Sequence, residues 1–484
     1  MRFRENYMSS LRNWNGTKIV CTIGPASRSP EMLERLIEAG MDVARLNFSH
    51  ATPRQHLQDF RNITKSARRL GRVVGILQDL PGPKIRTGGL PDREVELTAG
   101  KKFSLLSRRV MGDDSRVQVN YKGLPNDVKK GTRIFLSDGN LELKVEKTTP
   151  TEVHCQVVAG GILKEHQGVN VPGVRLNVDA FTPRDRQYLL LGLKAGFDFV
   201  ALSFVREANE IKKAKRFAAS HGKEVFFIAK IEKHEALRNL DEIIEAADGV
   251  MVARGDLGIE IPLAEVPAAQ KLIIARCNRM GKPVITATQI LESMVEHPRP
   301  TRAEVTDIAN AILEGSDALM LSAETASGSY PVEAVKVLNQ VAAATERKPI
   351  SCQLAGEGAR SPHHRIADNL SLFACEMASN LGAKIIAAPT RTGRTARLVS
   401  RFRPHTPIVA LTATPRIQRE LSLSFGVIPL KVRKGLSFDR LLKETKRILA
   451  RNGLAKKGDR VVFLAGSPHS EAGETNLMLV EEMR

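Results

Sequence analysis

Along most of the chain, short runs of β-branched and other apolar residues alternate with stretches whose apolar positions recur every three or four residues. The first pattern reads as strand and the second as amphipathic helix. Their alternation implies a parallel sheet. The strand candidates are TKIVCTI (17–23), MDVARLN (41–47), VVGILQD (73–79), FDFVALS (197–203), VFFIAKI (225–231), DGVMVAR (248–254), PVITATQ (283–289) and DALMLS (317–322). Eight is the number that closes a (β/α)₈ TIM barrel. The helices between them carry start and stop signals. In SPEMLERLIEAG, Ser29 is an N-cap, Pro30 opens the first turn and Gly40 ends the helix.

The rhythm breaks between residues 79 and 197. From about residue 92 to 168 the sequence shows alternating strands and tight turns with little helix: KKFSLLS, SRVQVN, TRIFLSDGNLELKVEK, TEVHCQVVAGG. We expect a small β-domain over 88–173, inserted in a barrel loop at the active-site end. Gly88-Gly89 and Pro172-Gly173 would be its hinges, so that it can act as a lid. The barrel is then residues 17–87 and 174–345. A polar, glycine-containing stretch at 346–365 reads as a linker. Residues 366–484 form a C-terminal α/β domain, with AKIIAAP, PIVALTA, GVIPLKV and RVVFLAG as strands. Residues 1–16 read as a loosely ordered extension.

Composition narrows the class. The 484 residues, 42% hydrophobic and 26% charged, suit a soluble globular protein of several domains. No apolar run is long enough to span a membrane, and the N-terminus lacks a secretory apolar core. The five cysteines are widely spaced with no CxxC pair, which supports neither a zinc knuckle nor a disulfide framework. A cytoplasmic location is expected, with Cys277 a plain buried thiol. The net charge of +20 raises nucleic-acid binding as a reading. Against it, the basic residues are scattered, and one Trp and four Tyr offer little for base stacking. Anionic small substrates account for the surplus equally well, so we expect neither a nucleic-acid nor a membrane partner.

Chemistry concentrates where the strands end. Strand two closes with Arg45, Asn47 and Ser49, and strand three with Asp79, followed by Lys84 and Arg86. Strand four ends in Ser203, strand five in Lys230 and Glu232, strand six in Arg254 and Asp256. Strand seven ends in Thr288, and strand eight in Ser322 and Glu324. In this fold the carboxyl ends share one rim, where catalytic groups gather. Two carboxylates with a lysine between them can hold a divalent cation beside an anionic substrate. Phosphate chemistry is the expectation.

Several segments make the match specific: CTIGPASRS, ARLNFSH, AKIEKHEAL, MVARGDLGIEIP, ITATQILESM and HPRPTRAEVTDIANAILEGSDALMLSAETA. Together they resemble the pyruvate kinase family from about Lys18 to the chain's end. The resemblance implies phosphoryl transfer from phosphoenolpyruvate to ADP. It makes Glu232 and Asp256 the ligands of Mg²⁺, or of Mn²⁺, and Lys230 the catalytic lysine. Arg45 and Arg86 are similar to the family's phosphate-binding arginines. Gly255 and Asp256, at a helix start, would offer amides to the substrate carboxylate, with Thr288 beside them and Ser203 nearby. Thr288 is implicated in protonating the enolate carbon through a relay that can include Ser322 and Glu324. The nucleotide side is implied to hold Arg86, Asn47, His50, Asp138 and Arg184. Asp138, in FLSDGNLEL, is equally well read as a hairpin-turn residue.

One departure from the family pattern matters. Asn47, Ser49, Asp79 and Leu80 match the monovalent-cation site, yet lysine stands at position 84 where K⁺-dependent members carry glutamate. A fixed charge there resembles the K⁺-independent branch, so we expect activity without K⁺. In the last domain, Thr390, Arg391, Thr392, Gly393, Arg394 and Thr395 form a loop similar to the family's effector site for phosphorylated sugars. The alternative is a helix start with ordinary caps. Family likeness also implies a homotetramer. Two other classes stay open at this point: a family member that binds without turnover, and a basic nucleic-acid-binding protein built on a barrel.

Overall fold

The computed structural model describes residues 15–347, 362–466 and 474–484. Eight parallel strands close into a barrel: Lys18–Thr22, Val43–Asn47, Gly75–Asp79, Phe199–Leu202, Phe226–Ile231, Gly249–Ala253, Val284–Ala287 and Ala318–Leu321. Each lies within one of the eight predicted runs. Nearly every strand residue is buried, since each strand has the barrel interior on one side and helices on the other.

Alternation along the strands sorts the side chains. Val20, Val43, Leu77, Phe199, Ile228, Met251, Ile285 and Met320 fill the interior. Their neighbours Cys21, Ala44, Ile76, Val200, Phe227 and Val252 face the helices. The helices are pinned by the expected caps. Ser29 accepts from the Met32 amide, and Thr182 and Thr301 each form a reciprocal box with an acidic residue three positions on.

The insertion after the third strand is a six-stranded sheet in the order Val169–Asn170, Arg133–Leu136, Leu141–Thr148, Glu152–Ala159, Lys102–Leu106, Arg116–Gln118. Glu94–Leu97 and Gly161–Lys164 pair beside it. It has its own core around Phe103, Leu105, Ile134, Leu143 and Val153.

The last domain is a five-stranded sheet ordered Val427–Lys431, Ile408–Thr412, Ile385–Pro389, Arg460–Ala465, Leu477–Glu482. Four strands match the predicted ones. The fifth, antiparallel at the edge and mostly half-exposed, lies outside the predicted strands, although its sequence LMLVEE opens on four apolar residues. A helix, Pro362–Asn380, starts inside the stretch read as linker. Residues 348–361, 1–14 of the N-terminal extension and 467–473 of the final stretch lie outside the described residues.

This domain caps the amino-terminal mouth of the barrel. Leu423 joins the interior cluster from below. Arg403 pairs with Asp317 at 2.8 Å, and Arg419 with Asp198 at 2.7 Å. Both aspartates immediately precede barrel strands, so the opposite, carboxyl rim is left for chemistry.

Candidate active site

The interior parity continues past the apolar layer and selects the polar residues at the rim. Val20 is followed two residues on by Thr22, Val43 by Arg45 and Leu77 by Asp79; Ala201 is followed by Ser203 and Ile228 by Lys230. These five therefore point into one layer at the carboxyl ends. Strand register aligns them further, with Thr22 beside Arg45 and Ala201 beside Asp79.

Lys230 is the hub of that layer. Its ammonium lies 2.8 Å from Glu232 Oε1, 3.4 Å from Asp79 Oδ1, and donates to Ser203 Oγ at 2.7 Å. Ser203 passes the bond on to the Leu80 carbonyl at 2.8 Å. Burial alone would lower the Lys230 pKa, but the Asp79 and Glu232 carboxylates outweigh it and hold the amine above its usual value. The lysine is therefore a permanent cation. Asp79 also binds Arg45, through Nη2 at 2.7 Å and Nε at 2.8 Å, and Arg45 donates to Thr22 Oγ1 at 2.9 Å. Burial pushes the Asp79 carboxyl up, yet its two cations more than reverse this and leave it below the usual range.

Glu232 differs. Burial raises its pKa, Lys230 pulls it down, and the charge of Asp256 pushes it up again, for a net rise. Strands five and six run in register, Ile231 beside Val252, so the residues that follow emerge on the same stretch of rim. With the Asp256 charge beside it, Glu232 gives this stretch of rim the hard oxygens of two carboxylates, and the residues fit a divalent metal.

Strands six and seven meet at a strained turn. Thr288 and Gln289 have φ of 68° and 53°, uncommon for any residue but glycine and most strained at Thr288, whose side chain is branched at Cβ. Thr288 Oγ1 accepts from the Gly255 amide at 2.9 Å and donates to the Ala287 carbonyl at 2.6 Å. Arg254 clamps the Thr288 carbonyl at 2.6 Å while its other nitrogen pairs with Asp307 at 2.7 Å. So the Gly255 amide, expected to be open to an anion, is held by the threonine hydroxyl. Glu324 is fully buried and takes the Ser322 amide at 2.6 Å and the Leu291 amide at 3.0 Å. Its position is that of a brace joining strands seven and eight. Ser322 Oγ is buried with no hydrogen-bond partner among the described residues.

The outer residues are more dispersed. Asn47 Oδ1 accepts from the Ser49 amide at 3.1 Å and fixes that turn. Burial lowers the His50 pKa, and the charges of Arg86, Lys84 and Arg45 lower it further. Arg86 itself donates to the His166 carbonyl at 2.9 Å. Lys84 lies at the lid junction: a Cβ on Gly168 would stand 3.7 Å from Lys84 Cε, 3.6 Å from Asp138 Oδ1 and 3.8 Å from Asn170 Oδ1. Asp138 sits in a turn with φ 55° between two antiparallel strands, so the hairpin reading holds. That turn also faces the barrel: a Cβ on Gly139 would stand 3.9 Å from Ile259 Cγ1 in the helix Arg254–Glu260. Arg184 donates to Tyr188 Oη at 2.9 Å on its own helix, whose Asp185 accepts from the Gly82 amide at 3.1 Å.

In the last domain, Gly393 (φ 81°) donates to Thr390 Oγ1 at 2.9 Å, and Arg394 N to Thr392 Oγ1 at 3.4 Å. Thr395 and Thr475 share a hydrogen bond of 2.8 Å. Thr22 was missed by the sequence reading, although the same period-two count that finds Arg45 would have found it.

Comparison with known proteins is decisive. Models of the pyruvate kinase barrel domain and of the pyruvate kinase alpha/beta domain match residues 14–335 and 368–481. The chain belongs to the pyruvate kinase family. A pyruvate kinase of Geobacillus stearothermophilus is 45% identical over 467 residues, covering 96% of this chain and 80% of the relative. Pyruvate kinase 2 of a Synechocystis species is 47% identical over 472 residues, covering 97% and 79%. The crystal structure of a Cryptosporidium parvum pyruvate kinase superposes with a TM-score of 0.90 at 34% identity, over 99% of this chain and 97% of that one.

As a pyruvate kinase the protein is a phosphotransferase, and phosphoenolpyruvate and ADP are the substrates this implies. The family generally uses a divalent metal. The rim around Lys230 presents charges suited to such a reaction, and no helix among the described residues is long and apolar enough to cross a membrane.

Proposed function

We propose that the protein transfers the phosphoryl group of phosphoenolpyruvate to ADP on the rim around Lys230, with Mg²⁺ or Mn²⁺ and without K⁺, and responds to a phosphorylated effector. The observation that carries the assignment of roles is the buried Lys230 ammonium, held by Asp79, Glu232 and Ser203. A fixed cation in a dry site stabilises charge that develops on the transferred group and on the enolate oxygen, at no cost in reorganisation. Arg45, fixed by Asp79 and Thr22, aims a planar fork at a phosphate. Glu232 and Asp256 would hold the metal, which supplies charge neutralisation between the substrates when bound.

Thr288 would present its hydroxyl to the enolate carbon, and Arg254 and Gly255 keep it in its strained conformation. Glu324 fixes the turn in which Ser322 stands. Asp138, on the lid turn that touches the Arg254–Glu260 helix, is placed to cover the nucleotide. His50, Arg86 and Lys84 line the approach, and the positive field of the arginine and lysine, which also depresses the His50 pKa, favours an anionic nucleotide.

Lys84 supports K⁺-independence: its fixed charge lies within reach of the loop where the cation would contribute. The loop 390–395, tied to the final stretch through Thr395 and Thr475, suits a phosphorylated effector. Exposed Leu263, Leu272 and Leu313 on the barrel, and Ile366, Phe373 and Val480 on the last domain, support two subunit faces and a homotetramer. A coupled assay with phosphoenolpyruvate, ADP and Mg²⁺, with and without K⁺ at constant ionic strength, tests the reading. Absence of turnover in both would leave a binding protein instead.

A further inference from the structure

A cleft of about 420 Å³ lies at the outer edge of the last domain, away from every residue given a role above. Two elements form it. Lys431, Arg433 and Lys434 come from the end of the edge strand Val427–Lys431 and the turn after it. Arg447 and Arg451 come from the helix Phe438–Arg451, four residues apart and hence on one face. Glu444 on the same face is the single acidic residue of the lining. It holds Arg447 at 2.8 Å and Arg433 at 3.7 Å, so one carboxylate braces guanidinium groups from both walls. Five cations against one anion leave a net charge of +4 (5 − 1) focused in a concavity.

We propose that this cleft is a binding site for a small polyanion, a phosphorylated metabolite carrying at least two negative charges. Paired, pre-oriented guanidinium forks suit phosphate oxygens, and the flanking lysines add point charge. Val432 and Ile448 give the cleft an apolar floor against which a sugar or base can rest. The cleft opens beyond the carboxyl end of the edge strand Val427–Lys431.

Its lining contains no residue of the 390–395 loop, which follows the strand Ile385–Pro389, two places along the sheet. That separation is about 10 Å at ordinary strand spacing. The site is therefore additional to the effector loop and does not depend on that loop's assignment. A nucleic acid is disfavoured, because no aromatic side chain lines the cleft for stacking.

Lysine footprinting of the full chain tests the site directly. Acetylation of Lys431 and Lys434, followed by mass spectrometry, should slow about tenfold when inorganic tripolyphosphate is added. The Arg391→Ala, Thr392→Ala double variant should keep this protection, and the Arg447→Ala, Arg451→Ala variant should lose it with turnover unchanged. Since both arginines are exposed, a matching melting temperature confirms that the loss is local; if that variant misfolds, Arg433→Ala serves in its place. Unprotected lysines in the wild type overturn the proposal. So does stronger protection by a short mixed-sequence oligonucleotide than by tripolyphosphate, which would make the cleft a nucleic-acid surface.

Discussion

Asp79 and Lys230 face each other across the barrel interior at 3.4 Å, while the second oxygen of Asp79 holds Arg45 at 2.7 Å. One buried carboxylate thus sets the position of both the lysine and the arginine proposed for phosphate. Asp79→Asn would leave two buried cations undercompensated. Breaking a buried pair costs about 3–5 kcal/mol, and turnover should fall about 100-fold as both groups lose their orientation. Lys230→Met should lower kcat further, by about 1,000-fold or more, with phosphoenolpyruvate binding largely retained. Steady-state kinetics beside thermal melts separate the two effects. Near-wild-type kcat in Lys230→Met would remove the lysine from the mechanism.

The Thr288 hydroxyl serves the fold and the proposed chemistry at once. Thr288→Val keeps the shape but strips the Gly255 amide of its acceptor, a loss of about 1–3 kcal/mol. We expect kcat to drop about 100-fold with little change in KM, and Thr288→Ser to recover most of it. Equal rates for the valine and serine variants would mean that the hydroxyl takes no part.

The ion requirement proposed to rest on Lys84 is tested by substitution there. Wild-type turnover should be the same in K⁺ and in an equal concentration of a tetraalkylammonium salt. Lys84→Glu should lose about tenfold or more without K⁺ and regain it when K⁺ is added. A wild-type enzyme strongly activated by K⁺ would contradict the reading.

The loop 390–395 is tested by replacing Arg391 and Thr392 with alanine. Both side chains are exposed, so the basal rate should hold while activation across a panel of phosphorylated sugars and nucleotides flattens. Collapse of the basal rate would identify the loop as structural.

The seam between the last domain and the barrel carries a pH dependence. Burial raises Glu420 to about 7 even though Arg416 and Arg397 pull it down, and burial raises Asp198 to about 6 against the opposing Arg419. A carboxyl whose folded pKa exceeds its unfolded value binds protons more tightly when folded. Its contribution is therefore most favourable below about pH 4 and is lost as pH climbs toward 6–7. Glu420→Gln should remove part of that loss. It should melt higher than wild type at pH 8, by the equivalent of about 1–3 kcal/mol, and alike near pH 4.5. A variant that is less stable at pH 8 would show that the Arg416 pair outweighs the burial.

Much of the site could be read from strand ends, because a polar residue closing an apolar run has few other reasons to be there. Lys230, Glu232, Arg45 and Asp79 were found that way. What escaped notice had no local signature. Arg254 reads as the end of a strand, yet it works by clamping the Thr288 carbonyl and pairing with Asp307, far along the chain. Glu324 reads as a relay carboxylate, but both its oxygens are held by backbone amides. Leu423 is one apolar residue among many until it enters the barrel mouth.

By itself, the sequence determined the eight strands, the inserted β-domain, the parity that turns one polar set inward, and membership of a family. These follow from periodicity and local chemistry, which need only neighbours in the chain. Closure of the barrel decided the rest. It made Asp79 a shared counter-ion for groups on strands two and five, and set the Asp256 charge against Glu232. It also set His50 in the positive field of Lys84, Arg86 and Arg45. Such couplings depend on distances between elements, and those distances exist only once the sheet has closed on itself.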